Sequence, residues 1–149
     1  MAVSTTKYDV IGAYRFLVEL DGLIVGGFTE VSGLQAETEL MEVAEGGVNG
    51  YVHQLPKRIK YPPLVFKRGI SNSSELWDWY ANASIGKITR KSGSVILQNQ
   101  AGKELCRWNF FESYPVKWSG PDLNATSNGV AIETLQLVHN GLKTIFSKK

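Results

Sequence analysis

Cysteine is nearly missing from this 149-residue chain, with Cys106 standing alone. A lone thiol excludes an internal disulfide framework and any cysteine-based zinc site, and it fits a chain folded in a reducing cytoplasm. Histidine is almost as scarce: His53 and His139 sit in different predicted strands, with no His-x-His or His-Glu-x-x-His spacing to hold a metal. No apolar run approaches the roughly 20 residues a membrane helix needs. The opening MAVSTTKYDV has neither a basic n-region nor an apolar h-region, so the expectation is a product that starts soluble and cytosolic and leaves a cell only by lysis or a machine. An excess of one charge is also lacking. Sixteen bases against fourteen acids give a net +2, which argues against binding nucleic acid through an overall positive field and leaves only a local patch.

Catalytic patterns are equally sparse. There is no glycine-rich phosphate loop, no Gly-x-Ser-x-Gly elbow and no Ser-x-x-Lys motif. Cys106 alternates in register with Trp108 and Phe110, which reads as packing, whereas a reactive thiolate needs an accessible electropositive niche. Glu75 and Asp78 lie three apart on a predicted helix, but acid–base work would need an apolar pocket to raise one of their pKa values. The expectation is therefore no catalytic residue, no cofactor and no metal.

What the chain does have is period-two alternation. From Glu104 to Trp118, Cys106, Trp108 and Phe110 share one face, while Leu105, Arg107, Asn109 and Phe111 share the other. Pro115 would cost a ladder bond in a central strand, so a bend or break is expected there. A link rich in turn formers, Ser119, Gly120, Pro121, Asp122, Asn124, Asn128 and Gly129, leads to a last strand from Val130 to His139, ended by Gly141. In it Ala131, Glu133, Leu135 and Leu137 oppose Val130, Ile132, Thr134 and Gln136.

The rest follows in order. Met1 to Asp9 reads as a small polar arm. A strand from Ile11 to Leu20 turns at Asp21-Gly22, where both residues tolerate positive φ, into a second strand, Leu23 to Phe28. The acids Glu30, Glu37, Glu39, Glu42 and Glu45 then run without a base, and after Gly46, Gly47, Asn49 and Gly50 the bases Lys57, Arg58, Lys60, Lys67 and Arg68 run without an acid. This predicts a long hairpin over about 34–61 with a poor apolar face, which is marginal alone and wants a partner. Its charged strands either pair with each other or meet the opposite sign on a neighbouring copy. Leu64 to Ile70 resumes a strand. Asn72 and Glu75 resemble a capping box for a helix over about 73–84, with Leu76, Trp77, Tyr80 and Ala83 as its apolar stripe. Lys87, Arg90 and Lys91 form a basic cluster, either a phosphate contact or a solvated strand end, before a hairpin that joins Lys87 to Asn99 with Glu104 to Trp118. Strands with one helix and no βαβ alternation predict one all-β domain over 1–149, a barrel or sandwich.

The run W-N-F-F-E-x-Y-P-V-K-W-x-G-P-D-L-N-A-x-S-N, followed by A-I-E-T-L-x-L-x-H-N-G-L, resembles the tail-tube proteins of contractile phages and related injection systems. The resemblance extends to Tyr14-Arg15-Phe16, to F-T-E-V-S-G-L at Phe28 to Leu34, to Leu55 to Gly69, and to Leu76, Trp77 and Tyr80. It implies a small β-barrel that forms hexameric rings, stacked into a hollow tube for DNA or protein cargo. Sheath, baseplate, spike and terminator proteins are the implied partners. Within that resemblance the arm would make stacking contacts, with Glu37, Glu39, Glu42, Glu45, Lys57, Arg58 and Lys60 setting register. Trp108, Phe110, Tyr114, Trp118, Leu135 and Leu137 would build the core and subunit seam. The tube protein of type VI secretion is similar in fold, but the Trp108 to Leu142 motif fits the phage type better. The alternative class is a monomeric β-sandwich binding module that uses the arm as a recognition loop.

Overall fold

The computed structural model describes residues 12–13, 15–44, 50, 52–147. The predicted N-terminal arm, Tyr14 and the Gly46 to Asn49 reversal lie outside them. Among the described residues ten strands and one helix follow in order: β1 Phe16–Leu20, β2 Leu23–Val25, β3 Phe28–Ser32, β4 Glu37–Val43, β5 His53–Lys60, β6 Leu64–Gly69, α1 Glu75–Ser84, β7 Lys91–Gln98, β8 Glu104–Ser119, β9 Ile132–Val138 and β10 Gly141–Phe146. The all-β class with one short helix is as expected. The main path runs β2-β1-β7-β8-β9-β6-β3, all antiparallel, with β10 also on β8, while β4 and β5 form a separate two-stranded sheet.

The sixteen-residue β8 is the spine. Its first part pairs with β7 on one side and β10 on the other, and its second part pairs with β9. Register is continuous: Phe110 faces Leu142, Phe111 faces Gly141 and Tyr114 faces Val138, so β9 and β10 act as one strand interrupted at His139 and Asn140. Gly141 thus resumes the strand it was expected to end. The Asn140 N–H donates to the Phe111 carbonyl at 2.9 Å and carries the ladder across the interruption.

The break expected at Pro115 is there, as a register shift between Pro115 and Lys117, and a second irregularity precedes it at Glu112. Glu112 takes φ 54, a left-handed conformation uncommon outside glycine, and its N–H meets the Ser92 hydroxyl at 3.2 Å. Parity flips there, so Phe110 points into the core before the flip and Ser113 and Pro115 after it. Pairing with β7 ends at Ser113, which leaves Pro115 on a stretch with β9 as its strand neighbour, where proline is tolerated. An extra residue between Pro115 and Lys117 then restores the original parity.

The two halves of the path face each other across one core. Val18, Leu20, Val95 and Phe110 from one side meet Leu64, Phe66, Leu135 and Leu137 from the other, and the Phe66 and Phe110 rings are 6.0 Å apart. Gly93 leaves room for the Phe110 ring, because a Cβ there would fall 2.6 Å from it and against the Glu19 carbonyl. Asp21 and Gly22 both have positive φ, as the predicted hairpin turn requires.

The helix starts later than the capping-box reading had it. Ser74 occupies the N-cap position, and its hydroxyl donates to the Asp78 carboxylate at 2.8 Å. The helix buries Leu76 and Trp79, Tyr80 packs partly buried against the same core as expected, and Trp77 does not. Trp79 also donates its indole N–H to the Thr89 carbonyl at 2.8 Å, whereas Trp77 is 45% exposed.

Candidate assembly surfaces

The ribbon of β4 and β5 projects the charged segment. Glu37 stands opposite Lys60, Thr38 opposite Ile59, Leu40 opposite Pro56 and Met41 opposite Leu55. Between Thr38 and Leu40 the register shifts, so that β5 carries one extra residue at the point where Pro56 could not donate a ladder bond. There Arg58 reaches Glu39 with Nε at 2.7 Å, and Lys60 Nζ lies 4.0 Å from the same carboxylate. The Arg58 hydrogen bond holds Glu39 below its ordinary carboxylate pKa. Among the described residues the acidic and basic strands therefore pair within the hairpin through Glu39. Glu37, Glu42 and Lys57 are exposed and in no ion pair among the described residues. Glu45 lies outside the described residues.

Of the residues read as core and seam, Phe110, Leu135 and Leu137 are buried, and Trp108 and Trp118 are partly buried against the same cluster. Tyr114 is not part of that cluster. The parity flip at Glu112 turns it away from the Phe110 face, and the Arg90 guanidinium lies 5.0 Å from its ring centre. Lys91 similarly lies 5.0 Å from the Trp79 ring. Two of the three cations in the predicted basic cluster are thus held on aromatic faces.

The few apolar side chains expected on the arm are exposed on both of its faces. Leu40 and Ile59 are 56% and 57% exposed on one face, and Met41 and Leu55 are 48% and 46% exposed on the other. A second exposed feature joins helix to sheet: Trp77 meets Trp118 edge to face at 4.9 Å and Tyr80 at 5.9 Å. Spacing could not have found it, because Trp77 and Trp79 sit two apart on one helix and only one can face the core.

The buried polar groups are structural in their contacts. Arg68 donates from Nε to Glu133 at 2.5 Å, and Trp118 donates its indole N–H to the other Glu133 oxygen at 3.1 Å. His139 is buried and donates from Nδ1 to the Gly141 carbonyl at 3.0 Å. Burial lowers its pKa, against a smaller opposing pull from the Gly141 and Pro62 carbonyls. Cys106 is buried, and loss of solvation raises its pKa, the reverse of what a nucleophile needs. A cleft of about 740 Å³ lies between α1 and the sheet, walled by Leu20, Arg68, Glu75, Asp78, Trp79 and Lys91, with charges of both signs. Among the described residues no group of three or more metal-ligating side chains comes together.

No curated protein matches the chain by sequence. Solved structures do. One similar chain, from the anti-feeding prophage baseplate, is 26% identical with a TM-score of 0.84, covering 94% of this chain and 98% of that one. Another, from the sheath–tube complex of the extracellular contractile injection system PVC in its extended state, is 25% identical with a TM-score of 0.85, covering 98% and 100%. The Hcp1 protein of Flavobacterium johnsoniae shares the fold more loosely, at 17% identity and a TM-score of 0.56 over 89% and 95%. The profile of the T4-like virus tail tube protein gp19 matches residues 12–143, which takes in every strand of the main path and the arm. With that span matched, the chain belongs to the T4-like tail tube protein family, whose members are structural tube proteins and not enzymes.

Proposed function

We propose that this chain is the inner-tube subunit of a contractile phage tail or contractile injection particle, forming hexameric rings that stack into a hollow conduit. The observation that carries this reading is the likeness, over nearly the full length of both chains, to a chain of the PVC sheath–tube complex, together with the family match over residues 12–143. The physical features agree with it. Among the described residues the main sheet path is open, ending at β2 and β3, and such unpaired edges are hazards unless another chain covers them. A head-to-tail contact that closes on itself removes every edge at once.

In this reading the arm supplies stacking contacts between rings. Glu37, Glu42 and Lys57 set register across copies, and Glu39, Arg58 and Lys60 hold the arm in shape. The subunit is made in the bacterial cytoplasm and works as part of the particle, in the bulk tube or in the first rings at the baseplate. Its partners are further copies of itself, the surrounding sheath, the baseplate with its spike, and the terminator. DNA or protein passes through the lumen, and conduction requires only a channel of suitable width and charge.

The test is negative-stain electron microscopy across a concentration series, paired with solution mass and repeated with preformed baseplate as template. Six-fold rings or stacked tubes are the expected result. A particle that stays monomeric even with the template would overturn the reading in favour of a binding module.

A further inference from the structure

The cleft between α1 and the sheet gathers donors that the fold leaves unused. Its wall includes Arg68, which is 5% exposed, and Arg68 Nη2 has no hydrogen-bond partner among the described residues although Nε is bound to Glu133. A buried donor left unpaired is costly, so such a nitrogen marks a place where an acceptor is wanted. Lys91 lines the same cleft, with Nζ 5.0 Å from the Trp79 ring centre and in no ion pair among the described residues. Leu76 lines it too and brings the N-terminal turn of α1. Ser74 makes no cap bond to that turn, because its hydroxyl donates to the Asp78 carboxylate, and Ser73 reaches only the Glu75 N–H, at 3.4 Å. The Leu76 and Trp77 amides are thus left without a side-chain acceptor among the described residues.

We propose that this cleft receives a carboxylate, held between Arg68, Lys91 and the N-terminal turn of α1. The assignment goes beyond the tube reading and does not depend on it. A guanidinium nitrogen, an ammonium and the positive end of a ten-residue helix border one cleft, and each favours an anion. The Ser71 and Ser73 hydroxyls accept from the Ser73 and Glu75 N–H groups, which leaves each hydroxyl proton to donate. Acids at the same cleft set the charge of the ligand. Asp78 is bound to Ser74, Glu75 makes no ion pair among the described residues, and Glu133 already offsets Arg68. A doubly charged phosphate would meet repulsion from the two carboxylates on α1, whereas a carboxylate brings one charge and two acceptor oxygens. At about 740 Å³ the cleft has room for an organic acid and not merely a bare ion.

Saturation-transfer NMR on the acetate methyl group tests the site, because it reads the ligand whether the chain is single or assembled. Acetate should show saturable transfer, and formate should displace it more effectively than phosphate at matched ionic strength, at a pH where phosphate is doubly charged. Lys91→Gln should weaken acetate binding several-fold, and Arg68→Lys, which keeps a cation for Glu133 but lacks Nη2, should do the same. Glu75→Gln should tighten it by removing a repelling charge. Lys143→Gln, exposed on β10 and away from the cleft, should change nothing. Circular dichroism checks that each variant is folded; if Arg68→Lys is not, the opposite effects of Lys91→Gln and Glu75→Gln decide. Absence of saturable transfer, affinity unchanged by Lys91→Gln, or phosphate displacing acetate better than formate would overturn the proposal.

Discussion

Arg68 and Glu133 face each other in register across β6 and β9, joined by a 2.5 Å hydrogen bond, with side chains only 6% and 7% exposed. Trp118 holds the second carboxylate oxygen, and the Arg68 guanidinium lies 5.8 Å from the Phe28 ring centre. Breaking a buried pair strands its partner charge, so Glu133→Ala should cost about 3–5 kcal/mol in chemical denaturation. Replacing both residues, Arg68→Met with Glu133→Leu, should cost much less than the sum of the single changes. A strictly additive double-mutant cycle would show that the pair does not act as a unit.

Phe110 and Trp108 share a strand face but not a depth. Phe110 is fully buried, while Trp108 is only partly buried against the same cluster. Phe110→Ala should cost about 3–5 kcal/mol, and Trp108→Ala less. The sequence pattern treats the two as equivalent, so equal losses of stability would favour the pattern over the structure.

Stability should fall as the solution is acidified through the histidine range. The folded pKa of His139 lies below its ordinary 6.5 because burial disfavours the imidazolium. Below about pH 6.5 the unfolded chain binds a proton that the folded chain refuses, so stability drops until the folded pKa is reached and then levels off. His139→Gln should flatten that slope in denaturation curves taken between pH 7 and pH 5, values that bracket the ordinary histidine range. An unchanged slope would assign the effect to other groups.

Charge reversal on the arm should separate two roles. Glu39→Lys removes the carboxylate that Arg58 and Lys60 share, which should loosen the ribbon itself and be seen as faster amide exchange in β4 and β5. Glu37→Lys with Glu42→Lys touches no ion pair among the described residues and should leave exchange unchanged while impairing assembly. Wild-type tubes from the second variant would remove those acids from any role in register.

Where alternation is uninterrupted, the strands were legible from residue types. Cys106 and Phe110 in β8, and Leu135 and Leu137 in β9, fall on the core face as period two requires, and Asp21-Gly22 turns as its composition demands. What escaped was every place where tertiary context sets the backbone. Nothing in Glu112 announces a positive φ, yet that one residue reverses the parity of the strand and turns Tyr114 off the Phe110 face. Asn140-Gly141 has turn chemistry, and only the Phe111 carbonyl waiting across the sheet makes it a pause within a strand. The arm was visible as an acidic block and a basic block, but the in-chain bond from Arg58 to Glu39 depends on a bulge that composition does not encode.

The continuous pairing of β8 with β9 and β10 also has a mechanical meaning. Strands that belong to both halves of the fold leave no slip plane between them, because any shear of one layer over the other must stretch covalent backbone and a whole ladder of hydrogen bonds. The bulges beside Glu112 and Val116 bend that beam without cutting it. In the stack proposed above, a subunit braced this way transmits an axial push as a stiff block, and the compliance of the column resides in the joints between blocks.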